Sequence, residues 1–458
     1  MQKTCAVLLA AGDGKRMKSA QPKVLCEVLF KPMIRWVADC CVQAGIPSNC
    51  AVLGFGAELV KETLPKGFQS VLQNERKGTG HAAMMAAAFI RECGAEDVAV
   101  LCGDAPFITP KDLLGAYELH KTQGNKVTVL SARVSDPAGY GRIVREGAGV
   151  TAIVEHGDAD EDTLEINEIN SGAYWFNAAF LLQFFENMQC HNAQGEYYLT
   201  DTVHFAVTGA EKAGAYVAHP HSVLGANSRK SLQELNQIAR LSVLERLMEE
   251  GVSVPFADGI VVGADVRVGR DTVLLPGTIL RGNTVIGENC EIGPNSYLEN
   301  TVVGNDCRII STFIESSTLE DGVKIGPMSN VRPGCHISAK VKVGDFVELK
   351  NSNIGEKTAV AHLTYVGDSD VGAGCNFGCG VVTVNYDGTH KCRTQIGDNC
   401  FIGCNTNLIA PVKLGDRVYS AAGTTITEDV PDDALVIGRA RQTVKEDWCK
   451  QSGLYRKK

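Results

Sequence analysis

The chain has 458 residues, too many for one ordinary hydrophobic core, so two or three domains are expected. Hydrophobic residues make up 44% and charged residues 21%, a globular balance, and the formal net charge of −9 argues against a general binder of nucleic acid or anionic membranes. No apolar run approaches the roughly 20 residues that cross a bilayer. The 17 cysteines are odd in number and scattered without a C-x-x-C pair, a pattern expected of reduced thiols in a cytoplasm rather than of a disulfide framework. Zinc is weakly supported, because Cys375/Cys379 and Cys400/Cys404 lack further ligands at suitable spacing.

The opening run "CAVLLAA" leads into Gly-rich, charged sequence rather than a cleavage site, so it reads as a strand and not a signal peptide. With "NCAVLGF", "DVAVLCGD" and "KVTVLSARV" it alternates with helical patterns such as "PMIRWVADCCVQAG" and "GHAAMMAAAFIREC". That alternation predicts an α/β domain, Rossmann-like, with a mostly parallel sheet covered by helices on both faces and ligands at the carboxyl ends of its strands. The domain is expected to span residues 1–227. Apolar residues at helical spacing from Leu232 to Leu247, closed by Gly251, predict a connecting helix over 228–251.

From residue 252 to 458 the period changes to six. Aliphatic residues recur at Val268, Leu274, Leu280, Ile286, Ile292 and Leu298, resume from Ile325 through Val366, and return at Ile396, Ile402, Leu408 and Leu414. A hexapeptide repeat sustained this long predicts a β-solenoid whose stacked coils share one core. The stretch between Val382 and Ile396 breaks the period and is expected to be a loop thrown outward.

Two groups of residues exceed what either scaffold needs. "LLAAGDGKRM" follows a strand with small residues Ala10, Ala11, Gly12 and Gly14, which allow a ligand close to the backbone, beside Lys15, Arg16 and Lys23. Its spacing is neither G-x-x-x-x-G-K-[ST] nor G-x-G-x-x-G, so a P-loop and a dinucleotide fold are disfavoured. "KGTGHAA" is a second small-residue loop opening a helix, and "VLCGDAPF" puts Asp104 at a strand end, where a carboxylate can hold Mg²⁺ against phosphates. In the solenoid, "VAHLTYVGD" places Thr364 inward, Tyr365 outward and His362 on a corner. Arg332 and Lys350 lie three hexads apart and are expected to stack on one corner in successive coils. At about 4.8 Å two such cations repel by roughly 3 kcal/mol at an effective dielectric near 20, less in solvent, which makes the pair a place for a phosphate. A solvated charge ladder is the plain alternative.

"LAAGDGKRM", "PKVL", "GTGHA", "GDAP", "GYGRI", "IVEH", "NAQGEYYLTD" and "GANSR" occur in the order seen in sugar-nucleotide pyrophosphorylases. With "RPG", "DFVELK", "HLTYVGD", "NYDG" and "IGRA", nearly the whole chain resembles the bifunctional N-acetylglucosamine-1-phosphate uridylyltransferase/glucosamine-1-phosphate N-acetyltransferase family. The resemblance implies a C-terminal left-handed parallel β-helix and a homotrimer. It implies that Leu9, Ala10, Ala11, Gly12, Lys23, Gln73, Gly78, Thr79, Cys102, Gly103, Gly141, Glu155 and Asn170 contact UTP or the UDP-sugar. Asp104 and Asn227 would ligate Mg²⁺, with Arg16 and Lys23 neutralising charge. In the second half His362 would be the general base, oriented by Glu348. Arg332 and Lys350 would clamp the sugar phosphate, Tyr365 and Asn376 would position the sugar, and Cys379, Asn385, Tyr386, Cys404, Ala422 and Arg439 would line the acetyl-CoA site. Lys15, Cys379 and Cys404 depart from the family's usual Thr, Ala and Ser, and the solenoid entry at Val252–Gly263 looks short. Two rivals stay open at this point: a single-activity nucleotidyltransferase with a structural solenoid, and a non-catalytic sugar-nucleotide sensor.

Overall fold

The computed structural model describes residues 3–12, 14–147, 149–189 and 195–454. The basic tail from Arg456, Asp13 in the first loop and the start of "NAQGEYYLTD" lie outside the described residues, as does the side chain of Lys15. The chain divides into two compact units, Met1–Leu241 and Ser242–Lys458.

In the first unit the strands Thr4–Ala10 (β1), Ser48–Leu53 (β2), Gln69–Leu72 (β3) and Asp97–Cys102 (β4) are parallel neighbours in the order β4-β1-β2-β3. Strand period two splits the side chains between faces. Val7, Val52 and Val100 enter one core with Phe89 and Phe176, while Leu8, Leu53 and Leu101 enter another with Ile34 and Trp175. Both faces are therefore covered, as continuous apolar strands require. The expected mostly parallel sheet has one long exception: Glu168–Asn177 runs antiparallel between Asp97–Cys102 and Val127–Arg133. Its register shifts between Asn170 and Tyr174 around Gly172 at φ +75°, a bulge that re-aims Asn170.

The amino end of β4 carries a buried carboxylate. Asp97 accepts from Lys121 Nζ at 2.8 Å and faces His120 Nε2 at 3.4 Å, whose Nδ1 lies 3.0 Å from Thr128 Oγ1. Burial works to raise the Asp97 carboxyl, but hydrogen bonds from His120 and Lys121 outweigh it and hold the group below the ordinary range. The sign follows: a depressed carboxyl contributes stability above its unfolded pKa, and that contribution is lost as pH falls through the folded value. Asp97→Ala is expected to destabilise this unit by roughly 2 kcal/mol at neutral pH, because His120 loses a buried partner while half-exposed Lys121 resolvates. Urea unfolding followed by the hydrogen-exchange protection of β4 checks this, and the difference from the parent should shrink in acid.

A helix spans Arg229–Glu249, starting one residue after and ending two residues before the expected 228–251 segment. Ser228 Oγ accepts from the Ser231 backbone N–H at 3.1 Å, an N-cap, while Ser231 Oγ accepts from the N–H groups of Asn227 and Ser228 at 2.9 Å. Gly251 at φ +96° and the Val252 N–H to Leu247 C=O bond of 2.9 Å end it. The boundary between the compact units falls inside this helix.

The second unit is a left-handed parallel β-helix: three parallel sheets of ten, nine and ten short strands, each strand pairing with its equivalents in the coils before and after. Every aliphatic position of the six-residue series is buried, from Val268 at 8% exposure to Val366 at 0%. The coils also run without a break through the region where the six-residue count lapses. Val303, Ile309, Ile314 and Leu319 are buried there, and Tyr297 pairs with Phe313 because five-residue steps shorten the coil. Corners are turned by residues at positive φ, among them Asn300, Leu363, Asp368 and Asn405. The outward loop is present between the strands Val382–Val384 and Thr394–Ile396.

Candidate functional sites

In the first unit a cavity of about 540 Å³ opens at the carboxyl ends of β1 and β4. Small residues make the room. Gly14 sits at φ +59°, where an added Cβ would meet Lys23 Cβ at 2.5 Å, and Gly78 at φ +100° starts the helix Thr79–Met85 with Tyr197 C=O against it. Leu9, Ala10, Ala11, Gly12, Arg16, Lys23, Gln73, Gly78, Thr79, Cys102, Asp104 and Asn227 all line this cavity. A second cavity of about 200 Å³ shares Leu9, Thr79, Cys102, Asp104 and Asn227 with it and adds Gly141, Glu155 and Asn170. Gly103 lines neither: its N–H donates to Leu9 C=O at 2.9 Å, and its place is to let β4 pass close to β1. Arg76, Glu196, Tyr140 and Thr200 line the cavities without having been singled out from sequence. Tyr140, Glu196 and Thr200 lay inside quoted motifs; Arg76 carried no pattern that marks a ligand.

Asp104 and Asn227 converge on one cation. Lys23 Nζ ion-pairs Asp104 Oδ2 and donates to Asn227 Oδ1 at 2.6 Å. Asn227 is held by the capped helix start, which Arg229 ties to the first loop through its Nε–H to Met17 C=O at 3.1 Å. A carboxylate and an amide oxygen around a positive charge are hard donors of the kind Mg²⁺ takes together with phosphate oxygens. The donor set therefore fits Mg²⁺. Among the described residues no group of three or more His, Cys, Asp or Glu gathers as a metal site, so such an ion would depend on substrate oxygens for the rest of its shell. In the second cavity burial raises the Glu155 carboxyl, partly offset by a hydrogen bond from Thr200. Asn170 donates to Tyr174 OH at 2.7 Å and accepts from the Gly172 N–H at 2.9 Å, which fixes its amide.

In the β-helix the register decides who meets whom. Asp345 pairs with His362, and Asp345 Oδ1 lies 2.9 Å from His362 Nδ1. Hydrogen bonding to the imidazole, then its charge, holds the Asp345 carboxyl below the usual carboxylate range. Glu348 does not orient the histidine; it pairs with Arg332 Nη1 at 3.1 Å. The reason is that parallel stacking joins equal positions of successive coils, and Glu348 stacks on Asn330 and Tyr365 instead. Arg332 and Lys350 do follow each other in register, but neither stands as a bare cation. Lys350 Nζ reaches Asp368 Oδ2 at 3.0 Å, and Asn351 and Asn385 donate to the same carboxylate. Asn385 Nδ2 also lies 3.4 Å from Tyr365 OH. In the β-helix, sequence reasoning missed Asp345 and Asp368; both sat inside quoted motifs, and only the coil register identifies their partners.

His362 ends the strand Ala359–His362 at one corner, whereas Lys350 pairs with Gly367 at the far end of the next short strand. Three residues at about 3.3 Å each make that face about 10 Å across, with Tyr365 outward in its middle. The histidine and the cations thus border one face from two corners rather than sharing one edge. Above His362 the same corner continues. Ala359 pairs with Asn376, and Asn405 N–H and Gly423 N–H donate to Cys379 C=O and Cys404 C=O, both at 2.8 Å. The column therefore runs Asp345, His362, Cys379, Cys404, Ala422, one residue per coil. Gly423 would touch Arg439 Cδ at 3.6 Å through an added Cβ, so Arg439 lies at the top of this column. Asn376 is exposed beside it, and Tyr386 stands 56% exposed on the loop.

Residues 5–221 match the nucleotidyl transferase family, residues 265–300 the bacterial transferase hexapeptide family, and residues 393–428 the hexapeptide repeat of succinyl-transferase. A solved UDP-glucose pyrophosphorylase complexed with UDP-glucose aligns with 53% of this chain and 100% of its own at 20% identity and a TM-score of 0.44, too weak a likeness to bear on function. The chain is 44% identical over 455 residues to the bifunctional protein GlmU of Clostridium botulinum (strain 657 / Type Ba4), covering 99% of both chains. It is 45% identical to that of Acetivibrio thermocellus, over 100% of this chain and 99% of the relative. It is 47% identical to that of Caldanaerobacter subterraneus subsp. tengcongensis, over 98% of each. At such identity over its whole length, with both halves of the fold in place, the chain belongs to the bifunctional GlmU family.

Proposed function

We propose that the two sites work in series, the β-helix corner making the sugar phosphate that the N-terminal cleft consumes. The chain is a GlmU-type enzyme of UDP-N-acetylglucosamine synthesis, with a uridylyltransferase N-terminal half and an acetyltransferase C-terminal half. His362 Nε2, left free by the Nδ1 contact with Asp345, takes the proton as the amine of glucosamine 1-phosphate attacks the thioester carbonyl of acetyl-CoA. Lys350 and Arg332 hold the phosphate end, and Tyr365, braced by Asn385, faces the sugar. The donor lies along Cys379, Cys404 and Ala422 towards Arg439, whose charge meets its phosphates.

In the cleft the small-residue loop admits the triphosphate and Arg16 neutralises it, while Asn170, Gly141 and Glu155 border the sugar. Mg²⁺ bound by Asp104 and Asn227 would supply charge stabilisation at the α-phosphate. Lys23, released from those two oxygens, turns to the phosphate oxygens. Attack of the sugar phosphate on UTP then needs positioning and neutral surroundings rather than covalent help from the protein.

Assembly as a homotrimer through the β-helix extends this reading. Its support is an exposed apolar row on one sheet: Phe401 and Tyr419 stack at 4.6 Å, and Leu435 beside them is 63% exposed. No helix among the described residues is long and apolar enough to cross a membrane.

One observation carries the double assignment: a carboxylate-held histidine on a solenoid that needs none for packing, in a chain whose other half closes two oxygen donors on a cation. Purified protein given glucosamine 1-phosphate, acetyl-CoA, UTP and Mg²⁺ is expected to yield UDP-N-acetylglucosamine by mass spectrometry. Without UTP, N-acetylglucosamine 1-phosphate should accumulate; without acetyl-CoA neither product should form. UDP-N-acetylglucosamine formed with no acetyl donor present would overturn the sequence of steps.

A further inference from the structure

The corner column contains two thiols that packing does not require. Cys379 is half-buried and Cys404 exposed, and they occupy the same position in successive coils, with Phe377 paired to Ile402 two residues earlier. Equal positions on adjacent parallel strands stand about 4.8 Å apart at Cα, within the roughly 4.4–6.8 Å that a disulfide spans. The Cys404 sulfur leans back towards the coil of Cys379, since a Cβ built on Gly378 would come within 2.9 Å of its Sγ. Other stacked pairs differ in access. Cys375 with Cys400 and Cys290 with Cys307 lie inside the prism at 2% exposure or less, their sulfurs turned to backbone carbonyls such as Gly397 and Gly415. Among the described residues, the corner pair alone combines in-register adjacency with access from solvent.

We propose that Cys379 and Cys404 are a reversible oxidation site, a disulfide across two coils that closes the donor end of the column next to His362. The inference rests on the donor path described above. Hydrogen peroxide is the oxidant. The Cys404 thiolate attacks a peroxide oxygen, the O–O bond breaks, and hydroxide leaves to become water, which gives a sulfenic acid. Cys379 then attacks that sulfur and expels its oxygen as a second water, so two thiol hydrogens and two electrons pass to one peroxide. A bridge joined sulfur to sulfur above the imidazole removes the gap through which a thioester would reach it.

The test treats the whole protein with peroxide, quenches, and assays both activities on one sample. Acetyl transfer is expected to fall roughly tenfold or more, since blocking or misplacing a reacting group by an ångström has effects of that size or larger, while uridylyl transfer persists. Peptide mapping should find Cys379 linked to Cys404, dithiothreitol should restore the lost rate, and prior acetyl-CoA should slow the linkage. Cys404→Ser, compared with its own untreated rate, should lose the sensitivity. Full alkylation of both thiols after peroxide overturns the proposal through the thiol geometry and leaves the His362 assignment standing. A linked peptide with acetyl transfer undiminished overturns it through the donor path instead.

Discussion

Replacing His362 with alanine is expected to slow acetyl transfer by roughly 10²–10⁴-fold, the usual contribution of a positioned general base, with uridylyl transfer unchanged. The amine of a sugar phosphate attacks as a free base and must shed a proton as the amide forms. In the proposed mechanism His362 is the base at the corner where the sugar face and the donor column would meet. Its ring is 61% exposed, so packing does not explain it and its loss should leave the coil stack intact. Asp345 sharpens the test. It holds Nδ1 at 2.9 Å, which leaves Nε2 to accept the proton. Asp345→Asn should therefore lower kcat for acetylation roughly tenfold with little change in KM for the sugar phosphate, a loss confined to the step where the base acts. Glu348→Gln should act differently, raising KM through Arg332, its ion-pair partner. Steady-state kinetics on the three variants checks this. Near-parental acetylation by His362→Ala would remove the general-base assignment.

Asp104→Ala is expected to reduce uridylyl transfer by roughly 10³-fold or more, because the loss falls on charge stabilisation at the reacting phosphate. Two observations set that expectation. Asp104 and Asn227 are the oxygen donors that close on one cation, and both cavities of the unit share them. The substitution also strips Lys23 of its carboxylate partner, so the ammonium and the Mg²⁺ that Asp104 would hold lose a common anchor together. Added Mg²⁺ should recover little of the rate, since an amide oxygen alone is a weak site for a strongly hydrated ion. Acetylation on the same sample should stay at the parental level, which separates loss of the site from loss of the fold. Pyrophosphate release and acetyl transfer, measured in parallel, check both halves; a matching fall in acetylation would count against independent sites.

Much of this molecule was legible from residue order. Strand runs such as "CAVLLAA" are apolar at every position because their sheet is covered on both faces, and each small-residue loop follows a strand end, where the cleft forms. The six-residue spacing marked the solenoid because every inward position must be filled, and a burial rule with a fixed period survives in the order of residues. Gly103 shows the limit at the cleft: in sequence it reads like its neighbours Cys102 and Asp104, yet only those two border the cavity.

Tertiary structure decided the partnerships. Residues that meet across coils are set by coil length, which shortens where a five-residue step replaces six: Val331 stacks on Leu349 after eighteen residues, but Asp345 on His362 after seventeen, while Arg332 and Lys350 reach past their register partners to Glu348 and Asp368. A difference of one or two residues moves a carboxylate from the base to a cation, and local pattern carries no record of the accumulated offset. Sequence alone therefore determined that a histidine and two basic residues would stand outside a repeating prism. Stacking alone determined that Asp345 rather than Glu348 holds that histidine, and that two cysteines lie in line above it.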